Sequence, residues 1–191
     1  MTMTKAKISL DAIKALREKT GAPMGDVKSA LEQAGGDTAK AVAILREKGF
    51  EAAKKRAERA THQGRVEGYL HHNGQVGALV EVNCESDFVA RSVEFQQFCK
   101  DVAMHVVAMN PACVRKEELS ASQLEDAKQH GRTAEELAKE ACLLEQPALK
   151  DQSQTVGQIL AALIGQINEN IVIRRFVRFS LGEESRPSSA G

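Results

Sequence analysis

The stretch Arg65-Val66-Glu67-Gly68-Tyr69-Leu70-His71-His72-Asn73-Gly74-Gln75-Val76-Gly77-Ala78-Leu79-Val80-Glu81-Val82 decides the fold. Val66, Gly68 and Leu70 alternate with Glu67, Tyr69 and His71, and Val76, Ala78, Val80 and Val82 alternate beyond Asn73-Gly74. A period of two marks a strand with one face buried, and Asn-Gly between two such runs is the strongest short hairpin signal, because both residues accept positive φ. The segment is predicted to be a β-hairpin whose apolar face needs a cover.

The cover comes from downstream. Ser92 is placed to cap a helix whose face reads Phe95, Phe98, Val102, Val106 and Met109, ended by Pro111. Ser120 with Gln123, and Thr133 with Glu136, fit capping boxes and predict two short polar helices, followed by an extended connection over Leu143 to Pro147. Thr155 with Gln158 opens a second apolar helix carrying Val156, Ile159, Leu160, Leu163, Ile164 and Ile167, which ends near Asn168-Glu169-Asn170. The β-branched and aromatic run Ile171 to Phe179 is predicted as the third strand, with Arg174 and Arg178 facing one way and Arg175 the other on a salt-bridged face. Helices packed on an antiparallel sheet of about three strands make an α+β class.

Upstream, residues 1–50 are expected to form a small three-helix domain. Ile8, Leu10, Ile13 and Leu16 mark one apolar face; Thr20-Gly21-Ala22-Pro23 breaks it; Met24, Val27 and Leu31 resume the helical period. Asp37 suits the N-cap of a helix with Val42 and Leu45, closed by Gly49. Residues 51–63 are expected to be a helical, solvated linker, residues 64–182 the α+β core, and residues 183–191, rich in Ser and Pro, a disordered tail.

Composition narrows the function classes. Lys plus Arg and Asp plus Glu both total 26 in 191 residues, so no global charge draws the chain to nucleic acid or an anionic membrane. The amino terminus lacks the apolar block of a secretory leader, and no apolar run reaches the ~20 residues of a membrane span, so a cytoplasmic location is expected. Cys84, Cys99, Cys113 and Cys142 are too widely spaced for a metal knuckle and read as four reduced thiols. His71 and His72, on opposite faces of a strand, do not make a joint metal site. With no phosphate loop, nucleophile elbow or paired carboxylates, neither an enzyme nor a bound cofactor is expected.

One segment remains outside this accounting. Ser86-Asp87-Phe88-Val89 sits between the return strand and the Ser92 cap. A Phe at a strand end is usually buried, yet an aromatic beside an unpaired Asp suits a surface that presses on another protein.

The surrounding blocks resemble one family. Thr20-Gly21-Ala22-Pro23-Met24-Gly25-Asp26-Val27-Lys28-Ser29-Ala30-Leu31, Glu81-Val82-Asn83-Cys84-Glu85-Ser86-Asp87-Phe88-Val89-Ala90 and Ile167-Asn168-Glu169-Asn170-Ile171-Val172-Ile173-Arg174-Arg175 are similar, in order and spacing, to three blocks of bacterial translation elongation factor Ts. The chain departs from the family's usual pattern at Pro23, Gly25 and Ser86, which keeps the hydroxyl of the usual Thr. The resemblance implies a guanine nucleotide exchange factor for the GTPase elongation factor Tu, with an amino-terminal unit similar to a ubiquitin-associated domain. It implies that Arg17 and Met24 rest on the GTPase. It further implies that Ser86, Asp87, Phe88 and Val89 enter near its magnesium site, dislodge the ion and promote GDP release. The resemblance extends to a single copy of the core unit, from which a homodimer and a two-plus-two complex are expected. The competing expectation is a helical adaptor that binds peptide or nucleic acid through the amino-terminal unit and Lys54, Lys55 and Arg56.

Overall fold

The computed structural model describes residues 8–183, so the expected tail lies outside the described residues from position 184 on. Along the chain run α1 (Leu10–Thr20), α2 (Met24–Gln33), α3 (Thr38–Arg56), β1 (Gln63–Leu70), β2 (Val76–Cys84), α4 (Asp87–Ala90), α5 (Val93–Met109), α6 (Ala121–Gln129), α7 (Ala134–Ala141), α8 (Val156–Ile167) and β3 (Ile171–Ser180). The strands form an antiparallel sheet in the order β1-β2-β3, which establishes the α+β class.

The hairpin closes where Asn73-Gly74 requires. Gly74 has φ +69, its N–H donates to the His71 carbonyl at 2.8 Å, and the Asn73 carboxamide oxygen accepts from the Gln75 N–H at 3.0 Å. His71 and His72 therefore leave the strand, and their rings come to 4.2 Å instead of pointing to opposite faces.

Register then overturns the simple reading of the apolar face. Val66 pairs with Glu81 and Glu67 with Val80, so the two strands' valines face opposite ways. Ala78, Val80 and Val82 lie under the helices with Glu67 and Tyr69, whereas Val66, Leu70 and Leu79 remain exposed on the far side. Glu67, buried at a relative exposure of 9%, is held by the Arg65 guanidinium at 2.5 Å. A register shift in β3 opposite Glu81/Val82 changes the third strand's parity: Ile171 and Ile173 face the core before it, and Phe176 packs against the core after it. Arg175 consequently pairs with Glu81 at 2.7 Å on the open face, beside Val177 and Phe179. Arg178 turns the other way, its Nε donating to the Val107 carbonyl. Arg175 and Arg178 thus face opposite ways as expected, and Arg174 departs from the pattern because it is the added residue, exposed and without a partner on β2.

α5 and α8 cover the sheet. Ser92 caps α5 through the Phe95 N–H, and Phe95, Phe98, Val102 and Val106 are buried against Val80, Val82, Ile171 and Ile173 with Leu160 and Ile164 of α8. Both short polar helices carry the expected capping boxes, as does α8. The segment after α7 is a turn, not an extended run: the Cys142 carbonyl accepts from Glu145 and Gln146 N–H groups. That turn buries Gln146, whose Oε1 lies 2.9 Å from His105 Nε2 while its amide donates to the Glu140 carbonyl.

The amino-terminal unit has its own small core of Ile13, Leu16, Val27, Ala30, Leu31 and Ala41. Ser9 and Asp37 cap α1 and α3, and Gly21, at φ +65, ends α1 with an N–H to the Arg17 carbonyl at 2.8 Å. Leu10 and Met24, expected on the apolar face, are exposed, because each lies in a first turn that extends beyond this core. Gly49 does not close its helix either. α3 continues to Arg56, and Gly49 is the point where it meets α8: a Cβ added there would lie 3.3 Å from the Ala161 carbonyl oxygen, and Gly165 faces it.

Gly49→Leu is expected to lower stability by about 1–3 kcal/mol through overpacking. Gly49→Ala is expected to fall within about 1 kcal/mol of wild type, since gained helix propensity offsets a tight contact. Chemical denaturation of both variants checks this pair of outcomes.

Candidate docking tip

β2 delivers the chain to the tip, and the first device there is a cap. Ser86, in extended conformation (φ −122°, ψ 155°), accepts the Val89 N–H on its hydroxyl at 3.3 Å and starts the four-residue helix α4. A helix so short has no independent stability, so its attachments set its position. One attachment is Val89, 6% exposed within the main core. Another is Glu169, whose Oε2 accepts the Ser86 N–H at 3.0 Å and whose Oε1 accepts the Ser86 hydroxyl at 2.6 Å, and the Cys84 thiol donates to the Ser86 carbonyl at 3.1 Å.

The neighbours of Glu169 extend the attachment. Asn170 donates its N–H to Glu85 Oε1 at 2.6 Å and its carboxamide to the Ala57 and Arg59 carbonyls, and Arg59 reaches Glu85 at 3.4 Å. Asn168, left-handed at φ +67, ends α8 and accepts the Arg56 guanidinium on both its carbonyl and its side chain. Three consecutive residues thus hold the end of α3, the start of the linker and the tip.

What the tip presents is Phe88, 82% exposed, with Asp87 beside it. Asp87, expected to lack a partner, pairs with Arg91 at 3.0 Å across one exposed helical turn, an arrangement that contributes little to stability. Val89, expected among the contacting residues, is turned inward, and Ser86 spends its hydroxyl on Glu169 and Val89. The four residues therefore divide into two that anchor and two that project. Arg17 on α1 and Met24 at the start of α2 are exposed on the separate helical unit.

Burial raises all four thiols above their ordinary value. Burial pushes Cys84 up to about 11, with the Glu169 carboxylate adding to the shift, and burial pushes Cys99 and Cys113 up to about 12. Among the described residues no cluster of His, Cys, Asp or Glu is arranged to hold a metal, and no helix is long and apolar enough to cross a membrane.

Sequence reading missed Glu169, Asn170, Glu85 and Arg59 as supports of the tip. The available signal was that two of the three family-like blocks, far apart in sequence, contain the two halves of this hydrogen-bonded junction.

The tip is thus an exposed aromatic side chain carried on a braced turn of an α+β protein. The family model described as Elongation factor TS matches residues 6–139. The chain is 44% identical over 198 residues to elongation factor Ts of Desulforamulus reducens, covering 93% of this chain and 91% of that one. It is 45% identical to that of Koribacter versatilis, with 92% and 89% covered, and 44% identical to that of Rubrobacter xylanophilus, with 90% and 98% covered. The chain belongs to the elongation factor Ts family, a family of translation elongation factors.

Phe88→Ala is expected to change stability by less than about 0.5 kcal/mol, as for an exposed position. Val89→Ala, one residue on, is expected to cost about 1–3 kcal/mol through lost burial. Urea midpoints of the two variants, measured side by side, check the division of the tip.

Proposed function

We propose that this chain is a guanine nucleotide exchange factor that binds the GTPase elongation factor Tu with GDP and promotes GDP release so that GTP can bind. The observation that carries this reading is Phe88, 82% exposed on a helix fastened from below by a buried valine and from the side by a carboxylate. A large aromatic held in water is unfavourable unless a partner covers it, and covering a Phe contributes about 1.5–3 kcal/mol.

The device acts by linkage. A GTPase holds GDP through backbone N–H groups and a magnesium ion bridging the phosphates. A factor accelerates release only if it binds the nucleotide-free state more tightly, and bound GDP weakens the factor by the same ratio. Phe88 and Asp87 enter near the magnesium site and displace the ion, while Ser86 and Val89 hold them in place. Arg17 and Met24 rest on the GTPase from the helical unit. The protein performs no covalent chemistry and works in the cytoplasm, where its partner is.

The second copy of the chain fits the open face of the sheet. Val66, Leu70, Leu79, Val177 and Phe179 form an exposed apolar surface on the side away from the helices, a surface that a homodimer would bury. The adaptor reading is weaker, because Arg56 of its basic cluster is engaged by Asn168 and Ala52.

Labelled GDP is expected to leave elongation factor Tu faster in the presence of this protein, and Phe88→Ala to slow that release by about one to two orders of magnitude. Absence of acceleration by the wild type overturns the reading. Sedimentation is expected to give a species near twice 20.7 kDa at micromolar concentration, converted to monomer by Leu79→Glu; a wild-type monomer throughout removes the dimer.

A further inference from the structure

We propose that Glu169 is the positioning residue of the tip, setting the direction in which Phe88 points. This rests on the exchange-factor reading for its functional consequence, but its structural part stands on geometry alone.

The serine hydroxyl carries one proton and can rotate. Glu169 Oε1, 2.6 Å away, takes that proton, which leaves the oxygen's lone pairs for the Val89 N–H at 3.3 Å. Glu169 Oε2 takes the Ser86 N–H at 3.0 Å. Both polar hydrogens of Ser86 are therefore committed to one carboxylate, and hydrogen bonds to an ionised acceptor are about twice as strong as neutral ones. With the rotor fixed, the cap is fixed, and with the cap fixed the first turn of α4 has one orientation.

Charge complementarity does not account for this carboxylate. Glu85 and Asp87 flank Ser86, so a third acid beside them is opposed by like charge, and among the described residues Glu169 forms no ion pair. The two donors of Ser86 are what it serves. Nor does Glu169 wander: Asn168 before it is held by Arg56, and Asn170 after it is held by Glu85 and the Ala57 and Arg59 carbonyls.

The core does not need the contact. Val89 alone supplies the deeply buried part of α4, whereas Ser86 and Glu169 are part-buried at the protein's edge. Loss of Glu169 is thus expected to loosen the tip more than the fold.

Two measurements on the full chain decide this. Amide hydrogen exchange of the free protein is expected to speed up at Ser86 and Val89 in Glu169→Ala by about tenfold, with amides of central β2 unchanged. GDP release from elongation factor Tu is expected to slow by about tenfold in Glu169→Ala and less in Glu169→Gln, which keeps one acceptor. In Phe88→Ala/Glu169→Ala the release rate is expected to match Phe88→Ala, because a positioning residue has nothing left to position. Unchanged tip exchange, or independent effects that multiply in the double variant, overturn the proposal. A wild type that fails to release GDP overturns the functional reading instead, and hydrogen exchange then decides the role of Glu169 by itself.

Discussion

The left-handed stop of α8 at Asn168 is the constraint on which the placement of the other parts depends. An Asn at φ +67 ends the helix without the steric cost that a β-branched residue would meet there, and turns the next two residues toward the hairpin. From that corner Asn168 holds α3, Glu169 holds α4, and Asn170 holds the linker, while Ile171 begins the strand that completes the sheet. Sequence separations of more than eighty residues are closed by hydrogen bonds within one short segment. The contacts of Glu169 and Asn170 are part-buried, where a lost acceptor leaves a donor unpaired, so they specify position more than they add net stability.

The two apolar clusters have different tasks. The larger one, under α5 and α8, makes a stable platform and anchors Val89. The smaller one holds α1, α2 and the first half of α3 together and leaves Met24 and Arg17 outward. α3 joins them, since its first half contributes Ala41 to the small core and its second half lies along α8. On the proposed reading the tip and the helical unit contact one partner at separate points, and a flexible join between them would carry an entropic cost on docking.

Much of this was legible in the sequence, and the failures have identifiable causes. The hairpin, the caps at Ser92, Ser120, Thr133 and Thr155, and the third strand follow from local patterns, which is why they were read correctly. Gly49 has the sequence position of a helix terminator, whereas its missing side chain admits another helix. The apolar face of the hairpin was misassigned although register was available: centring the turn on Asn73-Gly74 already places Val66 opposite Glu81. The parity change in β3 had no local signal. At the tip, the sequence singled out Asp87 and Phe88 but gave no means to separate Val89 as an anchor, because burial of one residue in a turn depends on tertiary placement. Glu169 lay in a recognised block without a role, since its partner is supplied by a distant part of the chain.

The unbroken run of α3 makes the molecule a measuring rod. Nineteen helical residues span about 28 Å, and about 16 Å separates Thr38 from the crossing at Gly49. A tilt of about ten degrees at that crossing would carry the far end sideways by about 3 Å, enough to miss a contact made at hydrogen-bond range. The absent side chain at Gly49 is in that sense a tolerance on an angle: it fixes where the distant helices stand when the tip is in place.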